Sequence, residues 1–487
     1  MRHALVWTLV LALLPSAASA KANPTLDNLL STLSDGAKRQ DCASVMPTVE
    51  ALEHTAGFAK ASDQVRLSVY GLGFYCAWKS RQTELALHHA RAGTLLSGAP
   101  PELWQARFAM ELTSKKYADA VTTAETIAQI LPETLNGFEI RNLFYLDREL
   151  KSQPDLRRRF LKILASPSFV PAMPGASSAY FRQEYAIILV DAGDRTGAAE
   201  MVASIDAPKN IKSISLDPRL RGFIPGNVDL RAAVERHMSR MREIAAAHAT
   251  MIQPQLNVVD DLLMLDKGEE ALATLDAIRP DQSAQTYADS QEQINWWWNA
   301  RAKAYALLGR YEDAQAAFRK GKESLENGSP NISQTINLSE LQLRFGHPGE
   351  ALETLAPIAE GKVPGSAYGM MQFRANHGCA SHRVGKNQDA EADLAYLRGH
   401  VADAPGALTA MQLCLGDIDG AAASIIARLD IADQLPEALS ELSDYAPYPS
   451  TYPVDPDAPA LEALKARADV RAAVLRAGGT RKFNISP

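Results

Sequence analysis

From Ala86 onward, small and bulky apolar residues recur four positions apart. The pairs are Ala86/Ala90, Ala120/Ala124, Ala198/Val202, Ala271/Leu275, Ala314/Phe318, Ala351/Leu355, Ala390/Leu394 and Ala421/Ile425. A step of four keeps both side chains on one helix face. A small residue lets two helices approach closely, and the bulkier one a turn later fills the gap to the next layer. Runs of Val, Ile and Thr alternating with polar residues, the mark of a strand, are scarce. Ala, Leu, Arg and Glu are plentiful, and these side chains lose little freedom in a helix. The pattern predicts an all-α chain with almost no sheet.

The leading alanines follow one another at 34, 78, 73, 43, 37, 39 and 31 residues, and each long interval is about two periods. Five of them have glycine five positions earlier: Gly193, Gly309, Gly346, Gly385 and Gly416. Glycine there suits a left-handed turn that ends one helix before the next begins. The clearest unit runs from Trp298 to Phe318, two helices joined at Gly309-Arg310, with Trp298, Ala302, Tyr305, Gly309, Tyr311, Ala314 and Phe318 at regular places. It resembles the tetratricopeptide repeat, a helix pair of about 34 residues. Gly321 stands where that family has a further alanine, and Glu326 where it has a closing proline. Trp104, Tyr117, Ala120 and Pro132 carry a second, partial match. The expected fold is an α-solenoid of irregular TPR-like helix pairs.

In the family it resembles, the first helix of each pair lines a concave binding groove. The resemblance implies packing roles for Trp298, Ala302 and Tyr305. It places Trp296, Asn299, Lys303 and Ala306 in the groove, followed by Ile336, Asn337, Glu340, Leu343, Gln372, Ala375 and His382. Three successive tryptophans, Trp296 to Trp298, cannot all face one core, so Trp296 is the expected anchor. Some family members clamp a peptide carboxylate with lysines, an arginine and asparagines. Asn299 and Lys303 stand in the reverse of that order. Asn337 fits, but Gln372 and Asn376 replace basic residues. The clamp is therefore not implied.

The chain begins with Arg2-His3, an apolar run from Ala4 to Leu14, Pro15, and Ala18-Ser19-Ala20. This is a secretory signal pattern with cleavage before Lys21, and the run is short of the roughly 20 residues a membrane span needs. The expectation is a periplasmic or secreted protein with no transmembrane segment in the mature chain. The expected organisation is a signal peptide at 1–20 and an N-terminal array at 21–206. A connecting segment and helix follow at 207–254, then a C-terminal array at 255–444. A Pro/Tyr-rich linker with a capping helix, Leu461 to Ala477, occupies 445–487. Prolines around Arg157-Arg158-Arg159 point to degenerate helices, with the arginines as a solvated face.

Cys42 and Cys76, and Cys379 and Cys414, are each about one repeat apart, so an exported chain should pair them as two disulfides. His377, Cys379 and His382 are close in sequence, but a two-residue step faces different ways on a helix; no metal or other cofactor is expected. Adjacent His88 and His89 should point apart. Asp260-Asp261 and Asp417-Ile418-Asp419 read as capping or solvated acids. A net charge of −7 argues against a nucleic-acid partner. There is no phosphate loop, H-E-x-x-H pattern or nucleophile elbow, so the chain is not expected to be an enzyme. The functional expectation is a scaffold or adaptor holding a protein or peptide in its groove. The alternative is an enzyme or accessory of envelope metabolism presenting a saccharide or lipid.

Overall fold

A computed structural model describes residues 24–279, 286–326 and 329–487. The expected signal segment at 1–20 lies outside them. Among the described residues the fold is all α, with only isolated bridges at Glu326/Ser329 and Asp444/Lys482. No described helix is long and apolar enough to cross a membrane.

The helices form consecutive pairs in two compact units, Met1–Tyr185 and Ala186–Pro487. In the first unit, Pro24–Lys38 pairs with Cys42–Glu53, Asp63–Lys79 with Thr83–Thr94, and Pro101–Thr113 with Tyr117–Ile130. Ile140–Glu149 and Pro154–Leu164 follow. Of the prolines that suggested degenerate helices, Pro154 starts one, and Pro167, Pro171 and Pro174 lie in the non-helical stretch that follows it. Pro154 and Pro208 each occupy a first helical position, where the missing N–H would have no partner anyway.

The alanine register is the interior of the array. Every residue of the eight apolar pairs is buried. The turn five residues before each leading alanine is left-handed, with φ of 81° at Gly193, 73° at Gly309, 83° at Gly346, 84° at Gly385 and 70° at Gly416. The same conformation occurs at Arg81, Lys115 and Asp266, with φ of 58°, 56° and 61°. Gln40, at 55°, marks one further repeat, in which Val45 and Val49 replace the alanine pair and are fully buried. Gly321, where the family pattern has alanine, fills a narrower space: a Cβ there would lie 3.0 Å from Gln334 Oε1 and 3.1 Å from Trp298 Cβ.

The second unit contains the pairs Gln253–Met264 with Gly268–Asp276, Ser290–Leu307 with Tyr311–Glu323, and Ile332–Arg344 with Pro348–Ala359. Ala367–Arg383 then pairs with Asn387–Gly399, and Pro405–Cys414 with Ile418–Leu429. The division between units falls within helix Ala179–Asp191, not after residue 206. The stretch 207–254 is part of the core, not a connection. Val234, Met238 and Met241 share one cluster with Leu256, Leu262 and Trp297. Leu216, Leu230 and Ala233 share another with Ala421, Ile425, Leu439 and Leu464. The first and last helices of this unit thus bury one another's apolar faces.

The expected single capping helix is two, Ala458–Ala466 and Ala468–Arg476, separated by Arg467 in an extended conformation (ψ 139°). Arg467 reaches Asp419 at 2.5 Å and Asp469 at 2.9 Å. Leu464, Val470 and Ala473 still cover Ala421 and Ile425 of the last pair.

Both cysteine pairs are disulfides, Cys42–Cys76 and Cys379–Cys414, with Cα atoms 5.2 and 5.8 Å apart. Each joins neighbouring helix pairs.

Candidate interaction surface

Three successive first helices, Ser290–Leu307, Ile332–Arg344 and Ala367–Arg383, carry the residues expected to meet a partner. Their mutual packing decides which of them remain accessible. Trp297 is buried, and its Nε1–H donates to Leu275 O at 3.1 Å. Its ring meets Trp298 edge to face at 4.5 Å. Trp296, on the other side of the helix, is left 41% exposed.

Amide side chains join one first helix to the next. Asn337 Nδ2 donates to Asn299 Oδ1 at 2.8 Å. Asn376 Nδ2 donates to Ser339 Oγ at 3.0 Å and to Ile336 O at 3.3 Å. Arg383 donates to Leu343 O at 3.0 Å. A buried amide needs such partners. Asn299 is therefore an internal tie, not a groove residue, and Asn337 is half-buried in the same tie. Ala306, Ile336, Leu343 and Ala375 are also buried, which corrects the expectation that they line an open groove. Lys303 and Glu340 are exposed; Gln372 and His382 are half-buried.

The C-terminal ends of these helices are crossed by the chain's own Pro/Tyr-rich segment. Thr451 Oγ1 donates to Leu307 O at 2.9 Å. Asp455 pairs with Arg344 at 2.8 Å, and Asp457 with Arg383 at 2.7 Å. Gly309 permits this approach, since a Cβ there would stand 2.5 Å from Thr451 O. Burial pushes the Tyr448 hydroxyl up to about 12, and it donates to Pro487 O at 2.7 Å. Ser486 bonds Asp266 at 2.6 Å, at the end of the preceding first helix. The segment from Thr451 to Asp457 thus meets three consecutive repeats at the same place in each, and the C-terminal tail meets the repeat before them.

A separate cleft of about 570 Å³ lies beside helices Pro405–Cys414 and Ile418–Leu429. Val401, Ala402, Leu408, Ala427 and Ile431 give it apolar walls. Buried Arg428 also lines it and holds Glu441 through two bonds of 2.6 and 2.7 Å. Burial raises the Glu441 carboxyl even against that guanidinium.

Several charged groups lie deeper than the sequence implied. Arg157 is an internal tie, bonded to buried Asp147 at 2.8 Å and to Glu184 at 2.6 Å. Arg158 and Arg159 are exposed as the solvated reading expects, Arg159 pairing with Glu125 at the surface. Asp261 is buried and bonded to His237 Nδ1 at 2.6 Å, so it is neither a cap nor a solvated acid. Asp417 does cap its helix, accepting from Gly420 N at 2.9 Å. His377 Nδ1 meets Asp393 at 2.5 Å, and Cys379 is held in its disulfide. His88 and His89, expected to diverge, both reach Glu53.

These helix pairs define the class: an all-α helical-repeat protein. No family model and no curated protein matches the chain. Among solved structures it aligns with yeast Tom70 at 11% identity, covering 92% of this chain and 97% of that one, with a TM-score of 0.33. The APC/C hetero-tetramer Cut9-Hcn1 aligns at 12% identity over 97% and 99%, with a TM-score of 0.30. Naa15/Naa10 bound to HypK-THB aligns at 11% over 98% and 88%, with a TM-score of 0.22.

Proposed function

We propose that this chain is an exported scaffold that holds a protein or peptide partner, in extended form, along the first helices of its C-terminal array. One observation carries the reading. A segment of its own chain, Thr451 to Asp457, already lies across three successive repeats, bonded at Leu307, Arg344 and Arg383. Repeats at a regular spacing present polar groups at a regular spacing, which suits an extended polypeptide. On the first of these helices, exposed Trp296 and Lys303, seven residues apart, offer an aromatic anchor and a cation. Export rests on the N-terminal pattern and on the two disulfides, which persist in oxidising compartments.

The test is capture of a partner from the envelope fraction of the source cells by the oxidised mature chain, tag included only at the C-terminus. A partner held by the native chain and lost with Trp296→Ala/Lys303→Ala supports the scaffold. Equal retention by that variant refutes the site. N-terminal sequencing of the cell-derived protein should begin at Lys21.

A second reading, presentation of a lipid, is favoured by the apolar cleft at Val401, Leu408 and Ile431. Mass spectrometry of organic extracts of the purified chain should find a co-purifying lipid, absent with Ala427→Trp. A lipid-free native chain would remove this reading.

A further inference from the structure

We propose that Glu53, His88 and His89 form a site for a divalent transition-metal ion, zinc by its ligand chemistry, between the second helices of the first two repeats. Glu53 is the last residue of helix Cys42–Glu53, and the histidines lie within Thr83–Thr94. His88 Nε2 is 3.4 Å and His89 Nδ1 3.3 Å from the same oxygen, Glu53 Oε1. All three atoms lie within 4.8 Å of one another. Ligands bound at ~2.05 Å around a tetrahedral ion are separated by roughly 3.3 Å, so the two spacings are edges of such a site.

The hydrogen bonding points the same way. His89 is 1% exposed, yet neither of its ring nitrogens has a hydrogen-bond partner, and neither does Glu53 Oε1. A buried polar atom left without a partner costs about 1–3 kcal/mol. A cation would satisfy Nδ1 and the carboxylate together. The ring orientation is fixed by its surroundings. A Cβ on Gly73 would lie only 2.9–3.0 Å from His89 Cδ2, Cγ and Nε2, so this glycine makes room for the imidazole against helix Asp63–Lys79. That leaves the Nδ1 edge for the cluster.

Two imidazoles and one carboxylate are a zinc donor set that leaves a fourth position for water. The side chain of His88 is 59% exposed and that of Glu53 20%, so an ion can enter from solvent. The Cys42–Cys76 disulfide ties the start of helix Cys42–Glu53 to helix Asp63–Lys79; the ion would tie the end of the same helix to Thr83–Thr94, the other helix of the second repeat.

The experiment uses the full chain, untagged, oxidised and stripped with chelator. Cobalt(II), which reports tetrahedral coordination through its visible bands, is titrated and then displaced with zinc. One equivalent should bind per chain and be displaced by zinc. His88→Ala, at an exposed position, should weaken binding at least tenfold while the helical circular dichroism is unchanged; Glu53→Gln should do the same. Failure to bind a stoichiometric ion overturns the proposal. So does unchanged affinity in His88→Ala and Glu53→Gln, which would put the ion elsewhere.

Discussion

Replacing Cys379 and Cys414 with alanine tests whether the second unit is held by covalent ties between repeats. The bridge joins residues 35 apart, from helix Ala367–Arg383 to helix Pro405–Cys414. Cutting a loop of that length restores chain entropy to the unfolded state worth about 4 kcal/mol at 25 °C. With a urea slope of roughly 3 kcal/mol/M, the unfolding midpoint should fall by about 1.3 M. Cys379 packs among Leu343, Ala351 and Ala380, so alanine also leaves a small void. The reduced native protein has no such void and separates the two effects. The assay is urea unfolding followed by tryptophan fluorescence, since Trp296 to Trp298 lie in this unit, and by helical circular dichroism. The native protein should lose stability on reduction. A variant lacking all four cysteines should not respond to reductant. A midpoint shift below about 0.3 M on reduction would refute the chain-entropy reasoning.

Three other changes probe the ties between repeats. Gly309→Ala should cost more than Gly385→Ala. Both residues are left-handed, which costs about 1–2 kcal/mol for alanine, but only Gly309 faces Thr451 O; faster proteolysis of the strap between 445 and 457 should accompany it, and equal loss in both variants would discount the strap. Tyr311→Phe should cost about 1 kcal/mol at neutral pH by removing the 2.9 Å bond to Glu350. Glu350 lies below its ordinary value of 4.5, where the bonds from Tyr311 and Gln315 and the nearby His347 outweigh burial. Its stabilisation is therefore present above the unfolded value and lost as pH falls through the folded one. Denaturation measured from pH 6 down to pH 3 should show the Tyr311→Phe difference shrink, and a constant difference would refute the assignment. Trp297→Phe should destabilise the second unit by about 1–3 kcal/mol, since Leu275 O loses its donor; a thermal melt within error of the native protein would contradict that role.

The repeat was legible because it rests on local chemistry. A small residue with a bulky one four positions later specifies a helix face wherever it occurs, and all eight such pairs are interior. Glycine marks a left-handed turn by its own conformational freedom. Gln40, Arg81, Lys115 and Asp266 adopt that turn without any sequence sign, since packing on either side compensates for a cost of about 1–2 kcal/mol. The cysteine pairs were legible for a related reason: a separation of one repeat places two residues on adjoining layers.

The interaction surface was only partly legible. Trp296 could be singled out because three adjacent tryptophans exceed what one helix face can bury. Asn299 and Asn337 gave no sign of being used by each other, because a polar residue on a helix reads the same whether its partner is water or the next helix. His88 and His89 were read as diverging on their own helix. Their meeting at Glu53 depends on a residue 35 positions before His88, and on Gly73 making space for one ring.

By itself, then, the sequence determined the helices, their pairing, the turns rich in glycine and the covalent links, all set by interactions within one repeat or between neighbours. The tertiary structure decided what lies far apart in the chain. It joined Leu216 and Leu230 to Leu439 and Leu464, because the apolar faces at the two ends of the second unit had no nearer cover. It also laid the segment around Thr451 across helices that end at Leu307, Arg344 and Arg383, where carbonyl and guanidinium groups recur once per repeat.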